Sequence, residues 1–264
     1  MPFPEVQRII FNRNPLEQVV CQLRFPTILK IDAEIPYEFQ EKIREQFPDY
    51  SETGELKLQV PEEEQAQIPI EVLKELVKTQ AIKNYQFKSE DNVWTINLTR
   101  TFLALTTTKY VRWEEFKEKL KTPLNAINEI YRPKYFSRIG LRYVNVIQRS
   151  KLSLQGISWR ELLNPHILGL LGSEELSDSI MNFENKYELQ LSDNESLVRI
   201  ITQYVKSVEN DEIAFKIDND FFNTSKTAIE DANSRLEYFN VRGSRLMQWC
   251  ITETLYRAME PSQL

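Results

Sequence analysis

Leu16-Glu17-Gln18-Val19-Val20-Cys21-Gln22-Leu23-Arg24-Phe25 puts Val19, Cys21, Leu23 and Phe25 on one parity and Val20, Gln22 and Arg24 on the other. Side chains alternate across a strand, so the stretch reads as a half-buried β-strand with one apolar and one polar face. Gly140-Leu141-Arg142-Tyr143 repeats the theme, with Leu23, Arg24 and Phe25 falling on Leu141, Arg142 and Tyr143. Here Ile139, Leu141 and Tyr143 form the apolar face, while Arg138, Gly140, Arg142 and Val144 point away.

The echo extends along the chain. Leu23 to Leu141 is 118 residues and Tyr85 to Tyr204 is 119. At the second offset Trp94, Ile96, Leu98, Phe102 and Leu103 fall on Ile213, Phe215, Ile217, Phe221 and Phe222. Each half ends in a helical pattern closed by Tyr131-Arg132-Pro133 or Met259-Glu260-Pro261. A shared offset and order point to an internal repeat.

Between these anchors the pattern sketches a repeating unit. Tyr37, Phe39, Ile43 and Phe47 have helical spacing between Pro36 and Pro48. Glu62-Glu63-Glu64 lies in a polar loop before a short helix over 70–78. Strands are predicted over 84–88, 93–99 and 101–108, with a turn at Glu90-Asp91-Asn92 and a bulge or bend near Arg100-Thr101, where the apolar parity switches. A helix follows over 113–131, with Pro123 as a kink or break. The second half reads as a strand over 135–148, a short helix over 158–163 capped by Ser158, and a meander over 180–191, 197–207 and 212–222. Turns fall at Asp193-Asn194 and Asn210-Asp211. A long helix over 226–259 closes it, interrupted by Gly243 at about 1 kcal/mol relative to Ala. The expected fold is α+β: two internally duplicated β-α-β-β-β-α units, residues 1–133 and 134–264, closely docked, with antiparallel sheets and helices packed on one face.

Composition narrows the chemistry. The chain has 264 residues, 41% apolar and 27% charged, with a net charge of -6, as an ordinary globular protein has. An acidic balance disfavours wholesale phosphate-backbone binding. The basic, aromatic-interleaved segment 131–151 suggests single-stranded nucleic acid, yet reads more simply as a strand with solvated basic ends. Cys21 and Cys250 are too few and too far apart for a disulfide framework. With no basic and apolar leader and no long apolar run, the expectation is a reduced, cytoplasmic protein free of the membrane. His166 is the only histidine, beside Pro165, and reads as a surface or helix-end residue rather than a zinc ligand or triad member. The six glycines form neither a P-loop nor a dinucleotide fingerprint, and no cofactor is expected.

What remains is the polar sheet face. Arg24, Arg142, Gln22, Asn97 and Lys216 are the candidate ligand-binding residues, for an anion, a peptide or a nucleotide. The competing expectation lays each arginine over the sheet and pairs it with a carboxylate such as Asp218. Asp218 and Asp220, spaced as D-x-D at a strand end, are the candidates for a hard cation, although a turn-forming polar cluster is the plainer reading.

Asn14-Pro15-Leu16 running into Val19-Val20-Cys21-Gln22-Leu23-Arg24-Phe25-Pro26 resembles the opening signature of a sporadically distributed prokaryotic family of uncharacterised proteins. The likeness continues through Pro36, Phe39-Gln40, Ile43-Arg44 and Phe47-Pro48, then Arg138-Ile139-Gly140-Leu141-Arg142-Tyr143-Val144-Asn145 and Ile251-Thr252-Glu253. The resemblance implies no catalytic residue or cofactor. Its patchy distribution implies the cargo of mobile defence or toxin–antitoxin systems. Arg242-Gly243 departs from the smooth final helix expected of the family.

The sequence therefore points to a non-enzymatic binding or assembly protein, chaperone-like towards a protein or peptide partner, with self-association allowed and nucleic acid not expected. The alternative is an enzyme or sensor for a phosphorylated small molecule or nucleotide. Arg24, Arg142 and Lys216 would clamp the anion, and Asp218 or Asp220 would hold a metal.

Overall fold

The computed structural model describes residues 3–55, 82–207 and 210–263. Its strands are β1 (Ile9–Phe11), β2 (Leu16–Arg24), β3 (Asp49–Glu55), β4 (Ile82–Lys88), β5 (Trp94–Thr99), β6 (Phe102–Thr107), β7 (Arg138–Ile147), β8 (Glu184–Gln190), β9 (Ser196–Lys206), β10 (Ile213–Asn223) and β11 (Pro261–Gln263). Its helices are α1 (Leu29–Ala33), α2 (Tyr37–Ile43), α3 (Trp113–Ile130), α4 (Trp159–Leu162), α5 (Pro165–Leu168), α6 (Ala232–Cys250) and α7 (Glu253–Ala258). The mixture of helices and antiparallel strands is α+β.

Nine strands form one antiparallel sheet in the order β3-β4-β5-β6-β2-β7-β10-β9-β8, and β1 and β11 form a separate pair. The two alternating stretches are its centre. β2 lies against β7, with Cys21 opposite Leu141 and Gln22 opposite Gly140. On its outer side β2 pairs with β6, and β7 with β10.

Parity decides what the sheet buries. Val19, Cys21, Leu23, Ile139, Leu141, Ile217 and Phe221 are buried on one face. The helices bring rings to that face. Phe116 of α3 meets Trp94 at 5.7 Å, Phe39 of α2 meets Phe87 at 5.5 Å, and Trp159 of α4 meets Phe215 at 5.5 Å. Fully burying a large apolar side chain contributes about 1.5–3 kcal/mol, so this one-sided core holds the helices down. Arg24 and Arg142 project from the opposite face and are exposed.

Several expectations need correction. The parity switch near Arg100-Thr101 is a hairpin turn rather than a bulge: Thr99 pairs with Phe102, and the Thr99 hydroxyl accepts from the Thr101 and Phe102 N–H groups at 3.2 Å. The 119-residue offset thus lays the β5–β6 hairpin over the single unbroken strand β10. Helix α3 continues without a break past the buried Pro123. Gly243 sits inside an uninterrupted α6, and the break in the C-terminal helix falls at Ile251-Thr252 instead. Tertiary contacts take the chain there: Asn164 Nδ2 donates to the Ile251 carbonyl at 2.8 Å, and the Thr252 N–H donates to the Leu162 carbonyl at 3.0 Å. The expected Ser158 cap is present, with the Glu161 carboxylate accepting from the Ser158 N–H and hydroxyl. Strand β3 and helix α1 were not predicted, and the predicted loop at 62–64 and helix over 70–78 lie outside the described residues.

Candidate functional site

The predicted site residues lie on the open face, where most of their charges pair diagonally between neighbouring strands rather than with the residue directly opposite. Arg142 donates to Asp218 through Nε at 2.7 Å, and Lys216 reaches the same carboxylate at 3.4 Å. Their hydrogen bond raises the Arg142 pKa above its ordinary value. Asp220 takes a two-pronged contact from Arg138, at 2.8 and 3.0 Å. Both candidate cation ligands are therefore held by guanidiniums, and among the described residues no three His, Cys, Asp or Glu side chains converge. Arg24 donates to Gln22 Oε1 at 2.9 Å, and Arg138 reaches the same oxygen at 3.3 Å. Asn97 stays apart, accepting from Gln86 at 3.0 Å. Arg24 lies opposite Arg138 and Arg142 opposite Val20, so Arg24, Arg142 and Lys216 are not gathered into one clamp.

Glycine makes the Arg138 contact possible. A Cβ on Gly140 would collide with the Arg138 guanidinium, which crosses over this residue towards Asp220 and lies 5.0 Å from the Phe222 ring centre.

The opposite side of the same strands holds a different constellation. A cleft of about 210 Å³ opens between the N-terminal segment, α3, α6 and the helix-side face of β7 and β10. Its walls are mostly apolar, including Ile10, Phe11, Leu16, Trp113 and Met247. Its floor is not. Tyr143 and Asn145 of β7 and Asn219 of β10 occupy positions where the alternation calls for core residues, and Asn219 stands directly opposite Tyr143.

Most of these polar groups are satisfied. The Tyr143 hydroxyl donates to Asn240 Oδ1 of α6 at 3.1 Å and is also hydrogen-bonded to Tyr110. Asn145 Nδ2 donates to the Ile217 carbonyl at 3.4 Å. Asn219 is only 1% exposed, and its Oδ1 has no hydrogen-bond partner. Leaving a buried acceptor unsatisfied costs about 1–3 kcal/mol, so such a group marks a place where something else supplies the donor. Burial pushes the phenols of Tyr143 and Tyr110 well above their ordinary range, so both stay neutral at physiological pH.

Charged residues also line the cleft, namely Arg8, Arg112, Glu237 and Arg245. Arg8 lies on the N-terminal segment and grips Glu114 of α3 with two bonds, at 2.6 and 2.9 Å. That bond holds the Glu114 carboxyl below its usual pKa. Glu237 of α6 accepts from Trp113 Nε1 and Lys117 Nζ, both at 2.6 Å, and so ties α6 to α3. The roof is pinned by the β1–β11 pair, and by Gln248 donating to the Gln7 carbonyl at 3.2 Å.

Sequence reasoning missed this site although a signal was present. Asn145 and Asn219 break the apolar parity of β7 and β10, and Asn219 stands in the chain between Asp218 and Asp220, which face the other way. His166, the one histidine, is exposed and stacks on Trp249 with ring centres 3.6 Å apart. Among the described residues, no helix is long and apolar enough to cross a membrane. No family model matches the chain, and no curated protein is similar to it.

Proposed function

We propose that this protein is a non-enzymatic binding protein, and that its cleft takes a small uncharged ligand presenting an N–H or O–H donor to Asn219. The reading is carried by one observation: Asn219, buried and with its Oδ1 lacking a hydrogen-bond partner, lines a cleft whose surface is more apolar than polar. The ligand is uncharged because the floor offers only amides and neutral phenols. A flat heteroaromatic base or a carboxamide fits, with its body against Trp113 and Phe11 and its polar edge on the floor. Catalysis has little support here, since the floor carries no group that exchanges a proton near neutral pH.

The test is a thermal-shift and calorimetric series of uncharged nucleobases, nucleosides and aromatic carboxamides against wild type and Asn219→Leu. A ligand at a hundred times its Kd stabilises the folded state by about 2.7 kcal/mol. At least one compound should shift wild type and leave Asn219→Leu unmoved. Binding only by phosphorylated compounds, equally strong in both proteins, overturns the proposal.

A second reading keeps a protein or peptide partner on the open face, because the helices' ring contacts fall on the other side of the sheet. We also infer that the halves descend from one duplicated unit. Within the nine-stranded sheet, the first strand of each half pairs with that half's last, as β2 does with β6 and β7 with β10. The buried thiols Cys21 and Cys250 are both free, which suits a reducing, cytoplasmic setting.

A further inference from the structure

Strand β8 ends the nine-stranded sheet and, among the described residues, pairs with β9 alone. Six of its seven residues are exposed. On its helix-side parity Tyr187 is 46% and Leu189 36% exposed. The segment leading into it exposes Leu170, Leu176 and Met181, and the Gly169 backbone abuts the Asn185 side chain. A long edge with unpaired backbone groups beside apolar surface is a template for another strand.

We propose that this edge pairs with a second copy of this chain, antiparallel, on a two-fold axis at Tyr187. The strand reads Glu184-Asn185-Lys186-Tyr187-Glu188-Leu189-Gln190. Set against its own reverse about Tyr187, it places Lys186 opposite Glu188 of the second copy, and Glu188 opposite that copy's Lys186. Asn185 faces Leu189, Glu184 faces Gln190, and no like charges oppose. Moving the axis to Lys186 sets Lys186 against itself and Glu184 against Glu188, and moving it to Glu188 sets that carboxylate against itself. Among the two-fold registers that pair five or more residues of this strand, charge therefore selects this one, as an isologous interface requires. On the other face of the joined sheet the two Tyr187 rings meet at the axis, with Leu189 beside them. The contact lies at the sheet edge, away from the cleft, and does not depend on how the cleft is used.

The test is light scattering and sedimentation of the full chain, with two charge variants. Wild type should be a dimer that dissociates as salt rises, because its two ion pairs are exposed. Lys186→Glu turns both pairs into carboxylate–carboxylate contacts and should weaken the dimer about tenfold or more. Glu188→Lys should do the same through lysine–lysine contacts, and it also removes the partner that Arg199 holds at 2.9 Å within each chain. An equimolar mixture of the two variants restores both pairings, carboxylates at 186 and 188 of one chain against lysines at 188 and 186 of the other, and should form a heterodimer visible by native mass spectrometry. A strictly monomeric wild type overturns the proposal. So does a dimer that survives both substitutions, or a mixture that stays monomeric.

Discussion

A Cβ atom on Gly243 of α6 would stand 2.7 Å from Cε2 of Tyr143, inside any normal contact distance. The glycine is there because the helix lies directly on the tyrosine ring. That close approach brings Asn240, one turn earlier, within reach of the Tyr143 hydroxyl.

Gly243→Ala is therefore expected to destabilise, although alanine is the better helix former by about 1 kcal/mol. Tyr143 is buried and hydrogen-bonded, so its ring has little room to yield. Overpacking of this kind costs about 1–3 kcal/mol. Denaturant unfolding of Gly243→Ala, Tyr143→Leu and the double variant checks it. The glycine substitution should cost much less once the ring is gone, and an equal cost in both backgrounds refutes the contact as the cause.

Asn219→Leu should make the unliganded protein more stable. It replaces a buried amide, one oxygen of which lacks a partner, with an apolar group of similar size. The expected gain is about 1 kcal/mol, at the expense of binding. Thermal melts without ligand read the gain. A loss of stability would mean that the amide is satisfied in solution.

On the open face, Asp220→Ala and Arg24→Ala should differ in cost. The Arg138 and Asp220 side chains are each 19% exposed, and losing the carboxylate leaves the guanidinium half-enclosed beside Phe222 without its counter-charge. About 1–3 kcal/mol is expected. Arg24 is exposed and bonded only to Gln22, so its truncation should stay within about 0.5 kcal/mol. Equal losses in urea melts would contradict this ranking.

Alkaline pH should unfold the protein through its buried phenols. Burial raises the pKa of Tyr110 and Tyr143 above the unfolded value of 10.0, so the neutral form belongs to the folded state. Their contribution to stability is complete below pH 10 and is lost as pH rises beyond it. Burial likewise raises the Cys21 thiol to about 12, which keeps it unreactive towards alkylating reagents until unfolding. Ultraviolet titration of tyrosinate alongside circular dichroism follows both events. Ionisation of every tyrosine near pH 10 with the fold intact would refute the assignment.

Much of the scaffold was legible because alternation is local. Val19, Cys21, Leu23 and Phe25 name the buried face of β2 without any knowledge of its neighbours, and the turns at Asp193-Asn194 and Asn210-Asp211 announce the strands on either side. Where local pattern competed with tertiary contact, contact prevailed. The helical stripe over 226–259 ignores the hydrogen bonds to Asn164 and Leu162 that take the chain out of its helix at Ile251-Thr252.

The sequence by itself determined which face of each central strand is apolar, since side-chain direction follows from a two-residue period. Only the tertiary structure decided what those faces meet. Packing sent the guanidiniums diagonally across the register, Arg142 to Asp218 and Arg138 to Asp220, and the convergence of α3, α6 and the N-terminal segment over Asn219 made a cleft. Partners more than seventy residues apart in the chain are joined by packing, which no short-range period encodes.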